Sequence, residues 1–270
     1  MKIVSVSVAI AALIATASVR AEEKPVQPVQ KSDWQTELAE ATANLYVDVT
    51  SGIANPDDGG KELLSTSIGA HSGHALTKFN NNAVLGLQLG GAVGLTETDS
   101  DAHRAIYSSE IGLFVRGIPC KYNQTAAAAV LFTYDRNQHG SDILALRPLL
   151  GVTLDEKNSI GGKGVAHINQ NNGDRATDSG AGFWVHKWND RFSSEATLGY
   201  KGGDVKGVYA GPALAYSIDK NWDLAFRGER DNHGNYVAVF QVVYGFGGKG
   251  VHSTLDNISG TEATPFPVGR

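Results

Sequence analysis

The chain of 270 residues holds one cysteine, Cys120. No intrachain disulfide can form, which excludes a secreted domain stapled by disulfides. Past the first residues there is no apolar run of roughly 18, so no helix is expected to cross a bilayer. Positive charge is in short supply as well. The net charge is −5 and the pI near 5.9, which argues against a nucleic-acid partner. Helical periodicity is almost missing between residues 44 and 247. Mean hydropathy is only −0.19, as expected where apolar and polar residues alternate.

What is present begins with "MKIVSVSVAIAALIATASVRA". One lysine, an apolar run with Ser and Thr, and small residues at Val19 and Ala21 form the pattern of a cleavable secretory signal over 1–21. No cysteine stands at the cleavage point, which disfavours a lipoprotein. Residues 22–43 read as a periplasmic linker, "EEKPVQPVQK", followed by a short helix. Ser32 is its expected N-cap, with Gln35 in the capping-box position. Residues 248–270 lack either periodicity and read as a flexible tail.

Between them, clusters of Gly, Asn and Asp punctuate strands. The reading gives 44–52, 62–71, 82–95, 104–116, 124–135, 142–154, 159–168, 178–188, 191–201, 205–218, 222–231 and 235–247. That is twelve strands. Several reach the 9–11 residues a transmembrane strand needs, where globular strands centre on about 5–6. The connections sort by parity. "DEKN", "ND" and "DKN" are tight turns on one rim. "IANPDDGGK", "TETDSDAH", "RNQHGS" and "NQNNGDRAT" fall on the other, with the shorter "GGD" and "NHG". Short turns on one side and longer loops on the other is the asymmetry of a barrel through an outer membrane. "GIPCKYN" and the segment 72–81 are the exceptions, read as long connections on the short-turn rim.

Along the strands one parity is apolar and the other carries charge. Trp222, Leu224 and Phe226 alternate with Asp223, Arg227 and Glu229. Phe192, Ala196, Leu198 and Tyr200 alternate with Glu195 and Lys201. Ile111, Leu113 and Val115 oppose Glu110 and Arg116, and Leu144, Leu146, Leu150 and Val152 oppose Arg147. A soluble sandwich would bury the apolar face, and a membrane barrel would turn it to lipid. Aromatic residues near strand ends suit interfacial girdles. Gly86, Gly90, Gly94, Gly112, Gly199 and Gly207 would leave holes in a packed sandwich but suit a polar interior. Around Trp184 both parities are apolar, and the register there stays open.

With its leader, its alternating strands and a closing strand "YVAVFQVVYGF" ending in Phe246, the chain resembles the bacterial outer-membrane β-barrel proteins of the small porin-like class. The resemblance implies a closed antiparallel up-and-down barrel of 10–12 strands, outer-membrane lipid around it and barrel assembly machinery as a partner. It implies no cofactor and no catalysis. Glu110, Arg116, Arg147, Glu195, Lys201, Asp223, Arg227 and Glu229 would then line the lumen, where small polar solutes could pass. The rival readings are an adhesion protein with partner-binding surface loops, a soluble carbohydrate-binding sandwich or jelly roll, and a barrel-embedded lipid enzyme.

Other chemistry has little support. His71 and His74 of "HSGH" lack a third metal ligand and read as exposed loop histidines. Glu97, Asp99 and Asp101 lack the glycine and distal glutamate of a calcium loop. "GGKG" recurs at 161–164 and 247–250 without the strand–helix setting of a phosphate loop. No serine has a nameable His and Asp or Asn partner.

Overall fold

The computed structural model describes residues 44–55, 62–79, 83–97, 103–117, 126–136, 142–170, 178–202 and 206–246. The expected leader, short helix, tail and most of the outer loops lie outside the described residues. Twelve strands follow in order: β1 (Asn44–Asn55), β2 (Leu63–Phe79), β3 (Ala83–Glu97), β4 (His103–Gly117), β5 (Ala126–Arg136), β6 (Asp142–Thr153), β7 (Asn158–Gln170), β8 (Ser179–Lys187), β9 (Phe192–Lys201), β10 (Gly207–Ser217), β11 (Trp222–Asp231) and β12 (Tyr236–Gly245).

Each strand pairs antiparallel with the next, and β12 returns to β1 to close the barrel. The closing ladder runs from Tyr46–Gly245 to Asn55–Tyr236, and the Phe246 amide donates to Leu45 at 2.9 Å. Closure leaves no sheet edge, which is the condition for strands to span hydrocarbon.

The tight turns hold themselves by the same device. Asp155, Asn189 and Asp219 each accept, through Oδ1, the backbone N–H groups two and three residues on, at 2.7–2.9 Å. Asx turns of this kind explain why these connections need no glycine. Hydrogen bonds from the Asn158 side chain and the Lys157 amide hold the Asp155 carboxyl below its usual value. A depressed carboxylate stabilises the fold above its unfolded pKa of about 4 and loses that contribution as pH falls through the depressed value. The unfolding midpoint of Asp155→Asn should therefore lie below wild type at pH 7 and converge with it in strong acid.

One boundary differs from expectation. The segment 72–81, read as a connection, is strand to Phe79. A β-bulge between Ala75 and Thr77 shifts the register against β3, and Leu76 and Thr77 are both exposed. A bulge breaks the two-residue period, so the sequence pattern vanishes there while the ladder continues.

Candidate functional site

The apolar parity faces outward. Val93 is 66% exposed, Leu198 64% and Leu150 60%, while in the interior Asp48 and His71 are 1% exposed and Glu110 5%. A soluble β domain has the opposite distribution, and so large an apolar exterior needs a nonaqueous surrounding. Aromatic rings sit where that exterior meets the short-turn rim. The Trp222 and Tyr244 rings lie 4.8 Å apart, Tyr244 and Phe246 4.9 Å, and His186 and Trp188 4.7 Å. Near the opposite rim Tyr107 and Tyr134 lie 5.8 Å apart. These are the two girdles of a barrel in a bilayer. Trp184, whose register the pattern left open, faces out, with Phe183 and Val185 inside.

The interior is a belt of paired charges. On β1–β4, His71 lies between two carboxylates, with Nδ1 3.0 Å from Glu110 Oε1 and Nε2 3.3 Å from Asp48 Oδ2. Gln88 donates to Glu110 at 2.7 Å, Thr50 donates to Asp48 at 2.8 Å, and the Tyr46 ring stacks on the imidazole at 5.0 Å. Gly69 and Gly90 make room for this group, because a Cβ at either would strike the His71 ring and a carboxylate. Farther round, Arg147 binds Asp135 at 2.9 Å and Thr133 at 3.1 Å. Lys163 meets Glu195 at 3.2 Å, and Thr197 donates to the same carboxylate at 2.9 Å. Arg227 and Glu229 pair at 2.9 Å, and Ser217 donates to Asp223.

Seven of the eight residues singled out in the sequence thus have their side chains on the inner face: Glu110, Arg147, Glu195, Lys201, Asp223, Arg227 and Glu229. Arg116 stands opposite Val84 and Ala127 in the ladders, and its side chain lies outside the described part. Among these eight, Arg227 and Glu229 meet each other. Glu110, Arg147, Glu195 and Asp223 find partners the sequence did not single out, and Lys201 lies 5.0 Å over the Tyr209 ring.

One expectation needs correction. His71 is no loop residue: it lies within β2, buried in the lumen, while His74 on the same strand is exposed on the outside. Two of the inner glycines are covered from across the ladder. Gly86 faces Phe114 across the ladder, and Gly199 faces Tyr209. In each pair the ring lies where the glycine's Cβ would be, so small and large side chains interlock along the inner wall. Of the acidic trio, Glu97 ends β3 and the other two positions lie outside the described residues. Among the described residues no group of His, Cys, Asp and Glu is arranged to hold a metal.

No protein-family model and no curated protein matches the chain. Solved structures do. The COG4313 outer membrane channel from Pseudomonas putida F1 superposes with a TM-score of 0.56 at 14% identity, covering 83% of this chain and all of that one. The fold is that of an outer-membrane β-barrel. Outer membrane phospholipase A from Escherichia coli (TM-score 0.49, 13% identity, 74% of this chain and 92% of that one) and the KdgM porin (0.48, 11%, 74% and 99%) also match. At 14% identity the first of these likenesses carries the fold and no residue roles.

Proposed function

We propose that the protein is a passive outer-membrane pore that admits small polar solutes and performs no chemistry. The observation that carries this reading is the inversion of the fold, with an apolar wall outside and paired charges inside. A lumen rimmed by both signs of charge favours ions and polar solutes over apolar ones. Reconstituted protein should give discrete conductance steps in planar bilayers. A folded, inserted barrel that stays silent would contradict the pore and leave a structural role.

A lipid hydrolase is the second reading, favoured by one contact: His74 Nε2 lies 3.1 Å from Ser72 Oγ on the outer face of β2. The ladder neighbours of these two residues are Leu45, Leu87 and Leu89, which offer nothing to orient the imidazole, and a nucleophilic serine needs an oriented base. Phospholipid in mixed micelles should therefore remain intact with wild type and Ser72→Ala alike. Hydrolysis by wild type that Ser72→Ala abolishes would establish the enzyme instead.

The adhesion reading concerns the loops 53–61, 96–103 and 169–177, most of which lie outside the described residues. Exchange of those loops for short turns should leave conductance in place.

A further inference from the structure

The inner wall is covered over one half of its height. In the half nearer the short-turn rim, each of the twelve strands carries at least one buried inner residue. The cluster around Phe114 and Phe183 packs on itself, but it spans only β4, β5, β6 and β8. Beyond it, Ser193 of β9, Ser217 of β10 and Val243 of β12 are small and at most 5% exposed. Eight strands leave an interior that side chains just fill, and twelve leave more. Small side chains on separate strands cannot cover one another across that width. Toward the other rim water does reach the inner face, at Arg104, Val165, Lys201, Arg227 and Val237 among others.

The chain enters and leaves the barrel at this covered end. β1 begins at Asn44 and β12 ends at Gly245, joined through the Tyr46–Gly245 pair. Residues 22–43 come immediately before Asn44, so they stand at the mouth of the lumen. As the helix expected from Ser32 onward, residues 32–43 would be about 18 Å long. Trp34, Leu38 and Ala41 then form one stripe, and Asp33, Glu37 and Glu40 form the stripe beside it. The wall offers a matching charge. In the pairs Arg147–Asp135 and Arg227–Glu229 the arginine is the more exposed partner, at 33% against 14% in the second. The accessible charge of these pairs is thus positive, where the segment is acidic. Residues 248–270 leave from the same rim but carry no such stripes.

We propose that residues 22–43 fold into the lumen and dock on its inner wall, closing the half nearer the short-turn rim. The apolar stripe covers the wall, and the acidic stripe lies toward Arg147 and Arg227. Tethered to β1, the segment binds as an intramolecular ligand at high effective concentration. The inference rests on the transmembrane barrel described above and not on conduction.

Bimane fluorescence is quenched on contact with tryptophan. Of the four tryptophans only Trp34 belongs to the segment, while Trp184, Trp188 and Trp222 lie on the outward parity of the wall. The test places bimane on Ser193→Cys or Val243→Cys of the full chain, in a Cys120→Ser background in phosphatidylcholine vesicles. Trp34→Phe, which changes no barrel residue, should raise the fluorescence at least about twofold at one site or both. No rise at either site would overturn the proposal. Deletion of 22–43 should let a water-soluble maleimide label the same cysteines at least about tenfold faster, with the heat-modifiable gel band reporting a folded barrel. Labelling unchanged by that deletion, or accelerated instead by deletion of 248–270, would overturn it as well. Conductance steps should grow at least about twofold on deletion of 22–43, and equal steps would contradict the plug. Barrels silent in both forms would fail the pore reading, and the quenching and labelling results would still decide the docking.

Discussion

Replacing His71 with alanine should destabilise the barrel by about 3–5 kcal/mol, the range for removing one partner of a buried ionic group. The reason is what the substitution leaves behind. Asp48 and Glu110 point at the imidazole from two sides, and their side chains have no solvent exposure. Without the ring both charges stay desolvated, with Thr50 and Gln88 as donors but no basic group between them. The loss should therefore depend on the carboxylates. Adding Asp48→Asn and Glu110→Gln to His71→Ala should recover most of it, because neutral amides remove the buried charge. The check is the urea midpoint of the heat-modifiable gel band. A single mutant as stable as wild type, or a triple mutant no better than the single, would contradict this account of the cluster.

The second large effect is expected at Gly161. It pairs with Gly151 on one side and Phe183 on the other. A Cβ there would strike both the Phe183 ring and the Leu150 carbonyl. A ring can turn away, but a carbonyl inside a ladder cannot move without taking the strand with it. Gly161→Val should cost at least the usual 1–3 kcal/mol of overpacking, approximately. Because the clash lies in the β6–β7 seam, closure itself should suffer, with most of the protein failing to show the compact gel form. Gly162→Val is the control. It lies one residue away on the outer face, where a Cβ has only the Ala181 carbonyl at 3.5 Å, so it should assemble normally.

How much of this was legible depends on where charge falls. In β9 and β11, Glu195 and Lys201, and Asp223, Arg227 and Glu229, are spaced by even numbers of residues and so share one face, and the pattern alone assigns the wall. In β8, Phe183, Trp184 and Val185 are apolar in succession, and only pairing with β7 and β9 shows which ring enters the lumen. The second half of β2 is hidden by its bulge. His71 is hidden by its neighbours, since Ser72 and Gly73 give "HSGH" the composition of a loop. Its partners lie on two other strands, and no local pattern links Asp48 and Glu110 to it. Register does, by bringing Tyr46, His71, Gly90 and Glu110 side by side. The interlocking of Gly86 with Phe114, and of Gly199 with Tyr209, is likewise a property of register. Glycine in one strand is uninformative until the residue across the ladder is known.

In this barrel the apolar face meets lipid and the charged face meets water. A single-cysteine nitroxide scan of β9, residues 192–201 in a Cys120→Ser background, measures it most directly in reconstituted vesicles. High oxygen accessibility is expected at Phe192, Ser194, Ala196, Leu198 and Tyr200. The lower, lumenal value is expected at Ser193, Glu195, Thr197, Gly199 and Lys201. The reverse alternation, or a strand whose even positions react with a water-soluble relaxant as readily as its odd ones, would contradict it.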